Sequence, residues 1–223
     1  MGDAVGQMLA SAVGIAISPM PLIAVILMLA TPKGKANGLA FTAGWVVTLT
    51  VVVTVVVSAG SGLSTDSSKP AWEWWLKLAL GVLFVLLGLK QWQGRPREGH
   101  VHGPPKWMQA IDRITPGRAA GLAAVLVAAN PKNLVLAVGG AVSIATSTAS
   151  GGGKAVAAAL MVLIGSLCTL LPLSVYLFGG DRSARVLGEW KAWMAAHNAA
   201  IMVVVLVVLG VKYIGDAISG LTA

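Results

Sequence analysis

The chain contains six long apolar runs that are separated by polar segments, and proline interrupts two of these runs near the middle. A helix needs about 20 apolar residues to cross the hydrocarbon core of a bilayer. Apolar residues make up 57% of the sequence and charged residues 11%, whereas a soluble domain carries roughly 25% charged residues. The composition therefore predicts an all-α integral membrane protein.

The spacing of the apolar runs predicts a single transmembrane domain over residues 1–223. Two runs, the first and the fourth, are longer than a straight span needs and are predicted to be broken helices, while the other four are predicted to be continuous. The predicted spans lie at about residues 4–31, 37–60, 71–92, 118–146, 154–178 and 197–219. They group into a first half at about 1–92, a basic loop at about 93–117 and a second half at about 118–223.

Both interruptions have the sequence pattern that begins a helix. Ser18 precedes Pro19, with Pro21 following, and Asn130 precedes Pro131. Serine and asparagine are favoured at the N-cap position, and proline is favoured as the first helical residue. A break inside the bilayer frees backbone N–H and C=O groups, which must face protein or a watery cavity. Each interruption is therefore predicted to start a new half-helix beside a substrate path.

Lys132 directly follows Pro131 at the second interruption, and two interpretations of its role are open. It could pair with a backbone carbonyl or extend toward the membrane surface, or it could face a central cavity and bind an anionic group or serve a gate. Positive charge beside a helix N-terminus favours an anionic partner. Asn130 and Asn133 add neutral hydrogen-bonding groups. No acidic residue lies deep in any predicted span, and the lone cysteine, Cys168, is predicted to be a packing residue.

The two halves of the sequence resemble each other. "VLFVLLGLK" at 82–90 matches "VVLVVLGVK" at 204–212, and "AGWVVTL" at 43–49 loosely matches "IGSLCTL" at 164–170. The second match pairs Gly44 with Gly165 and Thr48 with Thr169. The alternative is that Val- and Leu-rich helices always look alike. Because each half has three predicted spans, the halves would form an inverted repeat, as in many secondary transporters, with Gly44 and Gly165 bringing helices two and five together.

Basic residues indicate the orientation of the chain. The formal net charge of +8 could indicate nucleic acid, but lysine and arginine in a membrane protein mark cytoplasmic loops. This rule predicts a multi-pass membrane protein with its basic loops in the cytoplasm, both termini outside and no nucleic-acid partner. Lys69 and Lys154 fall on the outer side, while the inner group comprises Lys33, Lys35, Lys90, Arg95, Arg97, Lys106, Arg113, Arg118, Arg182, Arg185 and Lys191.

Catalytic and metal-binding signals are weak. The two histidines of "GHVHG" at 99–103 lack a third ligand in the sequence nearby, and no Ser/His, Cys/His or paired-acid group lies within the spans. We therefore predict no catalytic residues, no metal, no cofactor and no enzyme activity. Within the central loop, "PPKWMQAIDRI" could form a short helix at the membrane interface.

The motifs at the two breaks resemble those of the LysE exporter superfamily. "SPMPLIAVILMLATPKGKANGLAFTAGW" at 18–45 looks like its GAP branch of glycolipid- or sulfolipid-addressing proteins, whose pattern reads "SPxPIxAVxxLL…NGxAFxxGW". Asn130-Pro131-Lys132 resembles the second motif of the superfamily. The resemblance covers essentially the full chain. The paired membrane cysteines of the thiol-conducting branch and the membrane acids of the metal-ion branches are absent from this sequence.

This resemblance implies a bacterial plasma-membrane exporter of a cell-envelope glycolipid, its precursor or another small amphipathic molecule. Similar motifs also occur in amino-acid exporters. A third possibility is a membrane scaffold that docks an envelope-lipid synthase or a larger exporter through its basic loop. Small residues along spans two and five are compatible with a homodimer and equally with packing inside one monomer.

Overall fold

The computed structural model describes residues 2–61, 71–93 and 114–222, and across these ranges every regular element is helical. The all-α prediction is thus confirmed for the described residues. A short 3-10 turn at Gly180–Arg182 precedes the last helix. In chain order the helices are α1 (Gly2–Ala16), α2 (Pro19–Leu29), α3 (Gly34–Ser61), α4 (Ala71–Gln93), α5 (Pro116–Ala128), α6 (Pro131–Ala145), α7 (Gly151–Gly165), α8 (Leu167–Phe178) and α9 (Ser183–Leu221).

The apolar helices are those of a membrane protein. Two stretches, α3 and the segment Gly180–Leu221 that contains α9, are each long and apolar enough to cross a bilayer alone. Three bent pairs, α1–α2, α5–α6 and α7–α8, reach that length and apolarity only when each pair counts as one span. The described helices therefore support two spans, or up to five. The third predicted span is the continuous helix α4, and a total of six stays a prediction.

The two proline-marked interruptions are confirmed as helix breaks. The axis bends by 48° between α1 and α2 and by 67° between α5 and α6. Ser18 and Asn130 have extended backbones, with ψ values of 110° and 113°, and each is the N-cap of a helix that begins with proline. The residue before proline is pushed out of the helical region by its clash with the ring. Local sterics therefore place both breaks at the predicted positions.

The fifth predicted span is also broken, so the prediction of a continuous helix there is wrong. α7 and α8 meet at Ser166 with a bend of 59°. Glycine–serine pairs favour kinks, and Gly165 precedes Ser166. Pro172 inside α8 has no N–H to donate to the carbonyl four residues earlier, which weakens the same helix. These two local signals explain the break.

The sixth predicted span is part of a longer helix. α9 begins at Ser183, well before the predicted start near residue 197. Arg185 and Lys191, which were assigned to a loop, are therefore helical. Gly180 adopts a positive φ of 56° just before the helix, and this conformation suits a sharp turn of the chain. The next residues include alanine, arginine, leucine, glutamate and lysine, which favour helix over loop.

Two compact units divide the described chain. The larger unit contains α1–α3, α5–α8 and the start of α9, and the smaller contains α4 and α9 from Ala196 onward. In the larger unit, α3 packs on α5 and α6, whereas α7 packs on α1 and α8 packs on α2. The pair α1–α2 thus packs on α7–α8, the pair α5–α6 packs on α3, and α1 also packs on α6.

Gly44 and Gly165 both lie at close helix contacts in the larger unit. A Cβ atom added to Gly44 would lie 2.6 Å from the backbone oxygen of Ala120 in α5, so Gly44 packs on span four and not on span five as predicted. A Cβ atom on Gly165 would lie 3.1 Å from Leu49 of α3 and 3.4 Å from Ile15 of α1. Small residues let the helix backbones approach closely at both contacts.

In the smaller unit, α4 and α9 pack through glycine. A Cβ atom on Gly81 would lie 2.8 Å from the backbone oxygen of Gly210, and one on Gly210 would lie 2.8 Å from that of Gly81. The ring centroids of Phe84 and Tyr213 are 6.0 Å apart in an edge-to-face arrangement. Gly210 belongs to the segment 204–212, which matches 82–90 in the sequence, and Gly81 directly precedes the segment 82–90.

Several predictions fall outside the described residues. They include most of the basic loop, with its histidines and the short interfacial helix, and the outer lysine Lys69.

Candidate substrate site between two helix breaks

The two proline-marked breaks are joined by a buried chain of hydrogen bonds. The ammonium of Lys132 donates to the hydroxyl oxygen of Ser18 over 2.8 Å. That hydroxyl donates to Oδ1 of Asn133 over 2.9 Å. Lys132, Ser18 and Asn133 are 5%, 3% and 1% exposed, respectively. Residues more than 110 positions apart in the sequence therefore form one polar cluster inside an apolar protein.

The break between α5 and α6 explains why Asn133 has its place in this cluster. In an unbroken helix the carbonyl of Leu126 would accept from the N–H of Asn130, four residues later. At the break the side-chain amide of Asn133 donates to the Leu126 carbonyl instead, over 3.0 Å. The backbone group freed by the break is thus satisfied by a side chain from the new half-helix, as a buried carbonyl requires.

The two N-caps act differently. The side-chain oxygen of Asn130 accepts from the backbone N–H of Lys132 over 3.1 Å, which is the predicted capping bond. Ser18 occupies the N-cap position of α2 but makes no capping bond to its own helix. Its hydroxyl is engaged with Lys132 and Asn133 of the other break. Ser18 therefore links the two broken helices instead of closing one of them.

The electrostatics of the cluster favour a negative charge. The N-termini of α2 and α6, which carry the positive ends of the helix dipoles, both lie at the cluster. Lys132 adds an ammonium group to them. No aspartate or glutamate of the described chain lies within ion-pairing distance of Lys132. An ammonium has three N–H donors, and Ser18 takes one of them. Because a buried charge without a counter-ion is costly, an anionic group entering the cluster would be stabilised.

The structure contradicts the first of the two interpretations of Lys132. Its ammonium is buried, so it does not extend to the membrane surface, and its partner is the Ser18 hydroxyl instead of a backbone carbonyl. The prolines take different positions: Pro19 and Pro21 are buried, and Pro131 is exposed. Ser18, Lys132 and Asn133 thus meet, while Asn130 and the three prolines shape the breaks around them.

The other predicted residues lie apart from this cluster. Thr169 is fully buried at the third break, where its hydroxyl donates to the carbonyl of Ser166 over 3.0 Å. Its sequence counterpart, Thr48, is half-buried in α3. Cys168 is buried, as predicted, and its thiol contacts the carbonyl of Gly165 at 3.5 Å. Gly165 and Thr169 therefore belong to a third helix break, which was not predicted from the sequence.

Trp45 stabilises this third break. The carbonyl of Gly165 has lost its helical partner, since the N–H of Thr169 bonds to Ser166 over 3.0 Å. The indole N–H of Trp45, a fully buried residue of α3, donates to the Gly165 carbonyl over 3.3 Å. Two features of the sequence were the available signals of this break. They are the Gly-Ser pair at 165–166 and the tryptophan that follows a glycine at 44–45.

The remainder of the "NGLAFTAGW" segment has structural roles. The side-chain amide of Asn37 donates to the carbonyl of Ile114 over 3.2 Å and to the hydroxyl of Thr31 over 3.3 Å. Phe41 is fully buried, and Gly38 lies against Leu29. This segment therefore fixes the start of α3 against the turn after α2 and against the residues before α5.

The bent apolar helices indicate a membrane protein, and a buried polar cluster joins two of its helix breaks. Comparison with known families agrees with this class. The chain belongs to the family described as Sap, sulfolipid-1-addressing protein, whose model matches residues 8–219. No curated protein and no solved structure matches the chain. Family membership ties the protein to sulfolipid addressing, in agreement with an envelope-glycolipid-related membrane protein.

Proposed function

We propose that the protein exports an anionic amphipathic molecule, a cell-envelope glycolipid or its precursor, across the plasma membrane. The observation that carries the proposal is the buried Lys132, which joins two helix breaks and has no carboxylate partner in the described residues. Membership of the sulfolipid-addressing family supports a sulfated or otherwise anionic lipid as the substrate class. Membership of the wider LysE exporter superfamily would agree with this role.

In this proposal, the hydrogen-bonded cluster corresponds to a closed state of the transporter. Lys132, Ser18 and Asn133 satisfy one another and are shielded from the surroundings. An anionic headgroup would replace the Ser18 hydroxyl as the partner of Lys132, and it would accept further bonds from the two remaining ammonium donors. Separation of Ser18 from Lys132 would then release α2 from α6. Substrate binding would thereby remove the hydrogen bond that joins the two breaks.

In an inverted repeat, this separation of α2 from α6 would lead to transport. α3 packs on α5 and α6, and its counterpart α7–α8 packs on α1 and α2, which is the contact pattern that a two-fold relation between the halves would produce. Rocking one three-helix repeat against the other would expose the cluster to each side of the membrane in turn. This mechanism requires six spans with both termini on the same side of the membrane, and the predicted topology meets this requirement.

A lipid-translocation assay tests the proposal. Purified protein is reconstituted into phosphatidylcholine liposomes with fluorescent sulfatide, a sulfated glycolipid, or with its neutral parent galactosylceramide. We expect sulfatide to be translocated and galactosylceramide to be translocated much more slowly, as measured by the fraction that dithionite quenches over time. Lys132→Met should slow sulfatide translocation by more than about tenfold, because a hydrogen bond to a charged group contributes about 1.5–3 kcal/mol.

Matched controls separate loss of the site from loss of the fold. Lys35→Met removes an exposed lysine at the start of α3 and should translocate sulfatide normally. Equal translocation by Lys132→Met and the wild type would contradict the proposed site. Uptake of radiolabelled amino acids, with no movement of sulfatide, would favour the amino-acid exporter. If the protein alone moves nothing and deletion of residues 96–113 abolishes its function in cells, the membrane-scaffold alternative is correct.

A further inference from the structure

A second site lies in a groove between α3 and α7. The groove encloses about 830 Å³ and belongs to the larger unit. One wall carries the hydroxyl residues Thr50, Thr54 and Ser58, which are spaced four residues apart on one face of α3. The opposite wall is formed mainly by alanine and other apolar side chains of α7. Such a groove has one apolar side and one side with oxygen atoms, as an amphipathic ligand requires.

The length of the groove corresponds to one leaflet of a bilayer. Its lining runs along α3 from Val46 to Ser58, which at 1.5 Å per residue is about 18 Å. Half of the hydrocarbon core is about 15 Å thick. Leu163, which also lines the groove, is 54% exposed, so the groove is open toward the surroundings of the larger unit. A single hydrocarbon chain could therefore enter the groove from the side.

A positive charge lies at one end of the groove. Lys154 stands in the first turn of α7, and its ammonium donates to the carbonyl of Ala145 over 2.5 Å. Lys154 forms no ion pair with any residue that the structure describes, and two of its three donors remain for a ligand. The N-terminus of α7 adds the positive end of a helix dipole beside it. This end of the groove favours an anionic headgroup.

An unpaired hydroxyl marks the other end. Ser166, at the third helix break, is fully buried and lines the groove, yet its hydroxyl oxygen has no hydrogen-bond partner. A buried hydroxyl without a partner costs about 1–3 kcal/mol. The apolar wall of α7 offers no acceptor to this hydroxyl. A ligand that carries an oxygen atom partway along its chain would satisfy it.

We propose that this groove binds an anionic lipid chain, with its charged group at Lys154 and an oxygen substituent of the chain at Ser166. The proposal rests on the proposed function, because it assigns a chain-binding site to an exporter of anionic lipids. With the predicted topology, Lys154 lies on the outer side, so the groove would hold the lipid on the side of release. The cluster at Lys132 and the groove would then bind the anionic group at two different positions along the export path.

Three related ligands test the site by binding alone. Ricinoleate is an anionic fatty acid with a hydroxyl partway along its chain, oleate lacks the hydroxyl, and methyl ricinoleate lacks the charge. Their binding to the full-length protein in phosphatidylcholine nanodiscs is measured by native mass spectrometry. We expect ricinoleate to bind about fivefold more tightly than oleate, which corresponds to one ordinary hydrogen bond. It should bind about tenfold more tightly than methyl ricinoleate, which corresponds to a charge-assisted contact.

Variants locate the two contacts. Lys154→Gln should abolish the preference for ricinoleate over its methyl ester, and Ser166→Ala should abolish its preference over oleate. Ala158→Trp, which fills the groove, should prevent binding of all three ligands. Val156→Trp places the same bulk on an exposed position of α7 that does not line the groove, and it should bind like the wild type.

The outcomes separate this proposal from the proposed function. Equal binding of the three ligands to the wild type, or unchanged binding to Ala158→Trp, overturns the groove as the site. In either case, sulfatide translocation that depends on Lys132 would leave the proposed function standing. Conversely, selective ricinoleate binding without any sulfatide translocation would support the groove and contradict the transport proposal.

Discussion

The breaks at Ser18 and Asn130 differ from the break at Ser166 in both backbone and chemistry. At the first two, an extended residue precedes proline, and the polar side chains of the two breaks bond to one another. At the third, Ser166 keeps nearly helical angles, with ψ of −4°, and no proline follows directly. Its N–H still bonds to the carbonyl of Val162 over 3.0 Å. The first kind of break interrupts the helix, whereas the second only bends it.

This difference shows how each break is stabilised. The proline-marked breaks satisfy their freed groups through side chains that lie close to the break in the sequence or in the opposite break, as Asn133 does for Leu126. The third break depends on Trp45, which belongs to another helix, and it leaves the Ser166 hydroxyl without a partner. Two breaks therefore form a closed polar cluster, and the third presents an unused donor to a groove.

The largest expected difference in stability is between alanine substitutions of Ser18 and of Ser166. Ser18→Ala removes the partner of Lys132 and of the Asn133 oxygen, so it should destabilise the protein by about 2 kcal/mol or more, the cost of leaving buried polar groups unsatisfied. Ser166→Ala removes a hydroxyl that has no partner and should leave stability unchanged or slightly raised. Unfolding in mixed detergent–SDS micelles measures both. Equal losses would show that the two breaks do not differ in this way.

A smaller effect is expected when the support of the third break is removed. Trp45→Phe keeps the aromatic packing but deletes the bond to Gly165, which should cost about 1 kcal/mol. The bend between α7 and α8 should also change, and spin labels at Val156 and Phe178 would report it as an altered distance. As a control, Trp190→Phe changes a half-buried tryptophan of α9 and should alter neither quantity. An unchanged bend in Trp45→Phe would show that Gly165 and Pro172 alone determine it.

The smallest effect concerns the caps. Asn130→Ala removes the bond to the Lys132 N–H and should cost about 1 kcal/mol, whereas Asn130→Ser keeps a capping oxygen and should cost only a few tenths. Ser150→Ala, at the N-cap of α7, removes a longer bond of 3.3 Å to Gly153 and should cost less than Asn130→Ala. The same unfolding assay ranks the three variants. A larger loss for Ser150→Ala would reverse the order that bond lengths predict.

Local sequence was sufficient for the two proline-marked breaks. Proline removes a donor and restricts its preceding residue regardless of its surroundings, so Ser18-Pro19 and Asn130-Pro131 could be located without a structure. The break at Gly165-Ser166 could not be predicted in the same way, because glycine is common in membrane helices and permits either a straight or a bent helix. The long extension of α9 was missed because its charged residues resemble a loop in composition while favouring helix in propensity.

The sequence by itself determined a helical membrane protein, two helix breaks and a lysine beside one of them. These features depend on composition and on the sterics of neighbouring residues. Only the tertiary structure decided that Lys132 bonds to Ser18, that Gly44 packs on Ala120, and that Trp45 supports the break at Gly165. Each of these contacts joins residues that are more than 70 positions apart. Sequence spacing does not specify such pairs, because they depend on how the packed helices align their side chains.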